Sequence, residues 1–267
     1  MNLPHIPLPQ NEVHLYFSIP EEITDPDLLQ RYHALMNPEE AKQQKRFHFE
    51  RHRHQYLITR AIIRSTLSRY APEVAPEEWQ FEKNEYGRPQ IAAVHKDVVP
   101  IHFNLSHTDG LIACGIVLDG ELGVDVEDIE RGGDLINIAD RFFSPSEVAD
   151  LHQLGSAMHT ERFFDYWTLK EAYIKARGMG LSIPLEDFSY HLSEDHSDIS
   201  ISIVPKQNDP ANRWQFRQWR MGTRHKIALC LEKRPNTSYK AILKKLVPMA
   251  EEEPFNCVEF RASKGWS

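Results

Sequence analysis

The stretch LIACGIVLDGELGVDVEDI, residues 111–129, decides how this chain folds and where its chemistry sits. Two apolar runs of strand length, 111–118 and 121–129, flank Asp119-Gly120, a pair that tolerates positive φ and so predicts a β-hairpin. In the second run, side chains two apart share a face. Asp125 and Glu127 therefore stand side by side while Val124 and Val126 point the other way. Adjacent anions repel unless a cation or hydrogen-bond donors lie between them, and a hard metal ion is one way to relieve that repulsion. The other is an exposed acidic strand edge, which discourages aggregation between sheets.

Downstream, residues 160–177 read as a helix closed by Gly178 in the left-handed position common after a helix C-terminus. Phe163, Tyr166, Trp167, Tyr173 and Ile174 form one apolar stripe, flanked by Glu171 and Lys175 one turn apart. Lys170 falls inside that stripe, where an ammonium is costly unless paired, so a buried or cleft-lining charge cluster is expected. Further on, WQFRQWRM (214–221) and HKIALCLEK (225–233) flank Gly222-Thr223 as a second hairpin. The tail after Pro235 holds a short amphipathic stretch, YKAILKKLV, and then the acidic EEEPF.

Upstream, 13–19 reads as a first strand and IHFNLSH (101–107) as another, following the turn Tyr86-Gly87-Arg88-Pro89. The segment from Pro38 to Tyr70 reads as one helix with Asn37 as its N-cap. It carries Lys42, Lys45, Arg46, Arg51, Arg53, Arg60, Arg64 and Arg69 against the single acid Glu50 between Lys42 and Arg69. Such a helix is a solvated face, a phosphate-binding surface or a landing site for an acidic protein. Each half of the chain shows a helix, a loop and then a strand pair, which suggests a distant internal duplication.

The 267 residues allow one large domain or two small ones, and 41% hydrophobic with 26% charged residues is ordinary for a globular protein. Three cysteines without Cys-x-x-Cys spacing argue against a disulfide framework or a thiolate zinc site. A reducing, cytoplasmic setting is expected. The N-terminus lacks the marks of a secretion signal, and no apolar run approaches the roughly 18 residues of a membrane span. A net charge of −8 disfavours general nucleic-acid binding. Two or three carboxylates, with other positions left to water and phosphates, suit magnesium rather than zinc. His48, His52 and His54 read as a polar helix face.

FNLSHT (103–108), GVDVE (123–127), RFFS (141–144) and WTLKEAYIKARGMGLSIPL (167–185) resemble, in order and spacing, the motifs of the Sfp-type 4'-phosphopantetheinyl transferases. The resemblance runs from about Asn37 to Glu232. It implies an α+β fold of two similar α/β halves packed as an intramolecular pseudo-dimer, divided here as 1–118, 119–234 and an extension, 235–267. It implies transfer of phosphopantetheine from coenzyme A to a serine of an apo acyl or peptidyl carrier protein by a monomer, with no nucleic acid or membrane involved. Asp125, Glu127 and Glu171 fall at the magnesium ligands, with Glu171 or a water held by Glu127 as base and Lys175 beside the pyrophosphate. Ser106 and His107 fall where the cofactor's phosphates are contacted, and Arg88 near the adenine. Glu40, Gln43 and Gln55 stand where the best-known members carry basic residues, which leaves Lys42, Arg46, Arg51 or Arg53 to hold the 3'-phosphate from neighbouring positions, Arg46 first among them. A non-catalytic module binding coenzyme A or a nucleotide is the alternative from another class, and a basic-helix RNA binder a further one.

Overall fold

In the first half of the chain, β1 (Glu12–Ser18) leads into α1 (Pro26–Leu35), α2 (Pro38–Arg46) and α3 (Glu50–Tyr70). A short hairpin of β2 (Phe81–Lys83) and β3 (Pro89–Ile91) follows, then β4 (Ile101–Thr108) and β5 (Leu111–Leu118). The second half repeats that order. It runs from β6 (Leu122–Asp128) through α4 (Leu135–Phe142), α5 (Pro145–Gln153) and α6 (Ser156–Arg177) to β7 (Phe188–Leu192), β8 (Ile199–Ile203), β9 (Trp214–Met221) and β10 (His225–Glu232). The tail adds β11 (Lys240–Val247), β12 (Glu251–Pro254) and β13 (Val258–Ala262). This computed structural model describes residues 5–95, 98, 100–193 and 197–266, so the first four residues of the N-terminal stretch lie outside it.

Strand orders are β12-β11-β1-β5-β4 in one sheet and β13-β9-β10-β6 in the other. Within them, β1-β5-β4 and β6-β10-β9 are equivalent: a first strand pairs antiparallel with the second strand of a later hairpin. The expected hairpin at Asp119-Gly120 does not form. Both residues have the positive φ read from the sequence, 54° and 109°, but the chain there passes from one sheet to the other. The reason is competition for edges, since β5 is already paired on both sides by β1 and β4 while β6 takes β10. The Asp-Gly hairpin lies ten residues earlier, at Asp109-Gly110, where Thr108 faces Leu111.

The helix expected over 38–70 is likewise two helices, broken at Phe47–Phe49. No Pro or Gly marks the break. Arg53 Nη1 donates to the freed carbonyls of Phe47 and His48 at 2.9 and 3.0 Å, and the Phe47 ring lies against Tyr56. Half of the basic residues in this region have structural partners. Arg64 and Arg60 pair with buried Glu40 at 2.8 and 3.5 Å, and Arg69 pairs with Glu252 at 2.6 Å.

Three apolar cores result: one around α3, one around α6, and one between the two sheets. The last includes Phe255 of the tail, stacked on Phe17 at 4.0 Å, so the extension helps fill the seam between the halves. Gly123 is required for α6 to lie on β6, because a Cβ there would sit 2.0 Å from the Ala172 carbonyl oxygen and 2.5 Å from the Ala176 nitrogen. Lys170 is buried and paired, as its place in the apolar stripe demands. Its Nζ meets Glu147 at 2.7 Å in the core of the second half, and donates to the Leu185 and Phe188 carbonyls. Among the described residues no helix is long and apolar enough to cross a membrane.

Candidate active site

β4 and β6 are the facing edges of the two sheets, and side chains replace a backbone ladder between them. Asn104 Oδ1 accepts from the Val124 N–H at 2.9 Å, Ser106 Oγ from Val126 at 3.2 Å, and Thr108 Oγ1 from Asp128 at 3.2 Å. The two-residue period of a strand is what aims all three at alternate amides of its neighbour. This junction carries the acids of β6 to the seam, where α6 meets them.

Asp125 is buried, and its Oδ1 accepts from Lys175 Nζ at 2.6 Å and from Ser106 Oγ at 3.0 Å. Lys175 also donates to Ser106 Oγ at 2.8 Å. Asp125 Oδ2 is buried without a hydrogen-bond partner, an arrangement that costs free energy unless another donor or a cation completes it. Glu127 Oε1 accepts from Trp167 Nε1 at 2.8 Å, and Oε2 from Arg131 Nη1 at 2.8 Å. Among the described residues the Glu171 carboxylate has neither a hydrogen bond nor an ion pair.

Burial, then the charge of Asp125, pushes the Glu127 and Glu171 carboxyls up to about 7. Arg131, the Trp167 bond and Lys175 draw Glu127 partly back, as Lys175 and Arg131 do Glu171. One anion thus disturbs the two others beside it. Among the described residues no three His, Cys, Asp or Glu side chains stand ready as a closed metal cage. The orphaned Asp125 oxygen, the unpartnered Glu171 and an all-oxygen donor set nonetheless fit a magnesium ion, which keeps several waters and needs few protein ligands.

A pH dependence follows. The folded protein holds protons on Glu127 and Glu171 that the unfolded chain has released above its ordinary carboxylate range, so folding stability falls as pH rises towards about 7. An ion needing both groups ionised binds better above that range. Magnesium chloride is therefore expected to raise the melting temperature more at pH 8 than at pH 6, and equal shifts in a thermal scan would count against the site.

Beside the acids opens a cavity of about 870 Å³, lined from α3 by Arg51, His52, Tyr56 and Arg60 and from the far side by Arg131 and Arg224. His107 faces it, its imidazole pKa lowered by the desolvating walls and then by Lys175 and Arg60. Arg224 is fixed by Asp128 at 2.8 Å and Asp109 at 3.2 Å. Sequence reasoning missed Arg131 and Arg224, which lie in loops where no periodicity ties them to the motifs. Two other predicted residues sit elsewhere. Arg46 is exposed on α2 and reaches Gln43 at 3.4 Å, while Arg53 is occupied at the helix break. Arg88 lines a smaller cavity of about 290 Å³ and donates to Glu121 at 2.6 Å and to the Ala176 and Leu122 carbonyls. Gln55 ties α3 to the Thr108 carbonyl at 2.5 Å.

Comparison with known proteins adds an independent line. Residues 121–230 match a family described as the 4'-phosphopantetheinyl transferase superfamily, and residues 24–115 match its N-terminal counterpart, described as "4'-phosphopantetheinyl transferase, N-terminal". The chain is 33% identical over 201 residues to a 4'-phosphopantetheinyl transferase of Bacillus subtilis, covering 75% of this chain and 84% of that one. It is 30% identical over 203 residues to 4'-phosphopantetheinyl transferase Sfp of Bacillus subtilis strain 168, with the same coverages of 75% and 84%. To 4'-phosphopantetheinyl transferase HetI of Nostoc sp. strain PCC 7120 it is 34% identical over 179 residues, covering 67% and 74%.

Proposed function

Because this chain belongs to the 4'-phosphopantetheinyl transferase superfamily, we propose that its cationic cleft holds coenzyme A and that the acids beside it serve the transfer. The protein is an enzyme that moves the 4'-phosphopantetheine group from coenzyme A to a serine of an apo carrier protein. The observation that carries the site assignment is Asp125, held on one oxygen by Lys175 and Ser106 and orphaned on the other, on the strand whose Glu127 is bonded by Arg131 of a cleft walled by arginines. Mass spectrometry of an apo carrier incubated with the enzyme, coenzyme A and magnesium tests it directly. An unchanged carrier mass, across carriers of fatty-acid, polyketide and peptide-synthesis type, would sink the reading in favour of mere coenzyme A binding.

In this reading Asp125, Glu127 and Glu171 hold magnesium, which supplies charge neutralisation at the pyrophosphate. Glu171 takes the proton of the incoming serine, because its carboxylate is the one in the cluster without a hydrogen bond among the described residues. The serine oxygen forms a bond to the phosphorus that bears the pantetheine. The bond from that phosphorus to the bridging oxygen breaks, and adenosine 3',5'-bisphosphate leaves. Lys175 lies where its ammonium can stabilise the departing charge, with Ser106 keeping it in place. His107, which lines the cleft from β4, would face the donor phosphates.

We read residues 1–118 and 119–234 as the halves of an intramolecular pseudo-dimer, a reading supported by the equivalent strand orders β1-β5-β4 and β6-β10-β9. Such a chain needs no second subunit, and we propose a cytoplasmic monomer, consistent with free thiols at Cys114, Cys230 and Cys257. Lys45 and Arg46, in the last turn of α2 and exposed, suit an acidic carrier better than the donor cleft, which neither lines. Reversing both charges is expected to raise the KM for the carrier several-fold at low salt and leave that for coenzyme A unchanged. A rise in the coenzyme A KM alone would instead return Arg46 to the 3'-phosphate.

A further inference from the structure

Arg131 stands three residues beyond the end of β6, its side chain 39% exposed, between the acids and the donor cleft. Its Nη1 lies 2.8 Å from Glu127 Oε2, and its guanidinium carbon 5.1 and 5.9 Å from the ring centroids of Phe164 and Trp167. The same side chain lines the cavity walled by Arg51, Arg60 and Arg224. Two glycines follow it, Gly132 and Gly133, with φ of 67° and 125°. That backbone lets the loop move its arginine without carrying a Cβ through a strained conformation.

Arg131 and an ion compete for one carboxylate. A divalent cation drawn to Glu127 meets a charge already neutralised by the guanidinium, and two cations on the same group repel. Glu127 is the one ion-pair partner Arg131 has among the described residues, so displacement leaves the guanidinium unpaired unless another acceptor is at hand. Lys175 differs, since besides Asp125 it has the hydroxyl of Ser106 and the Val124 carbonyl to hold it. The acceptor within the Arg131 cavity is the donor itself, whose phosphates match the planar fork of a guanidinium in two parallel hydrogen bonds.

We propose that Arg131 is an exchange cation of the donor site, leaving Glu127 for a phosphate oxygen of coenzyme A when the carboxylate takes its divalent ion. Ion and donor then bind cooperatively, because each removes what opposes the other. The inference rests on the transferase reading for its ligand and extends it to a residue outside the acid and lysine motifs.

Calorimetric titration of the full chain tests it, first with magnesium chloride alone and then with coenzyme A at saturating magnesium. In Arg131→Gln the affinity for coenzyme A is expected to fall about tenfold, the worth of one charge-assisted hydrogen bond. The affinity for magnesium alone is expected to rise several-fold, because the competing cation is gone. A residue that merely positions Glu127 would weaken both, and that outcome, or an unchanged coenzyme A affinity, overturns the exchange. If Arg131→Gln fails to fold, Arg131→Lys takes its place: it keeps the charge on Glu127 but loses the fork, so coenzyme A binds several-fold more weakly while magnesium alone binds as in the parent. Parent-like coenzyme A affinity in that variant overturns the proposal equally. The wild type separates the two readings. A parent enzyme that binds coenzyme A but leaves every carrier unmodified refutes the transferase reading, whereas a modifying parent whose Arg131 variants show no opposed shifts refutes the exchange alone.

Discussion

Asp125→Asn is expected to slow carrier modification about 100- to 1,000-fold, the scale seen when one preorganised charge-stabilising group is lost, with little change in melting temperature. The substitution keeps the shape of the side chain and its hydrogen bond from Ser106, so β6 stays docked against β4. What changes is charge. Lys175, now 2.6 Å from Asp125 Oδ1, loses its anionic partner, and the orphaned Oδ2 becomes either an amide donor or a neutral oxygen. Neither attracts a divalent ion. Steady-state rates at saturating coenzyme A, read beside a thermal melt, decide the matter: a near-parental rate in a folded variant would remove Asp125 from the reaction.

The largest expected loss of stability belongs to a residue in the same helix that faces away from the cleft. Lys170→Met should cost about 3–5 kcal/mol, the range for breaking one side of a buried ion pair. Lys170 and Glu147 are both 0% exposed, and the ammonium also lies 4.3 Å from the centroid of Phe188. Without it, the Glu147 carboxylate stays buried with only neutral donors, the Ser144 and Tyr190 amides and the Ser144 hydroxyl. At about 2–4 °C per kcal/mol for a domain of this size, the melting temperature falls on the order of 10 °C. The double variant Lys170→Met/Glu147→Gln should recover much of that loss, because neither member of the pair then leaves an unpaired charge in the core. A single variant that melts with the parent would show that the pair contributes little.

Much of this architecture is legible in the sequence because alternation and helical spacing are local. The strand at 122–128, the helix ending at Arg177 with Gly178 at φ 66°, and the hairpin 214–232 all follow from patterns within a dozen residues. Asp119-Gly120 misleads for a physical reason: the same turn chemistry serves a hairpin and a crossing between sheets, and only the distant claims of β1, β4 and β10 decide between them. The break at Phe47–Phe49 depends equally on a tertiary partner, the Arg53 guanidinium.

The site divides in the same way. Asp125 and Glu127 announce themselves by unfavourable proximity on one strand face, and Lys170 by its place in an apolar stripe. Arg131 and Arg224 give no such signal, since a loop arginine acquires meaning only when folding brings it to a carboxylate. Arg46 and Arg53 are offered as neighbours of Glu40, Gln43 and Gln55, the positions that counting along one continuous helix reaches. The bend between α2 and α3 turns the first outward and occupies the second.

The junction of Asn104, Ser106 and Thr108 with β6 has a consequence for how such an enzyme tolerates change. A continuous ladder would fuse the two sheets into one rigid body, whereas three side chains make a joint whose rungs can be deleted singly. Asn104 touches none of the acids, yet its loss would let one half settle at a slightly different angle to the other. Competence in this molecule is therefore a matter of alignment between its two halves as much as of the groups each contributes.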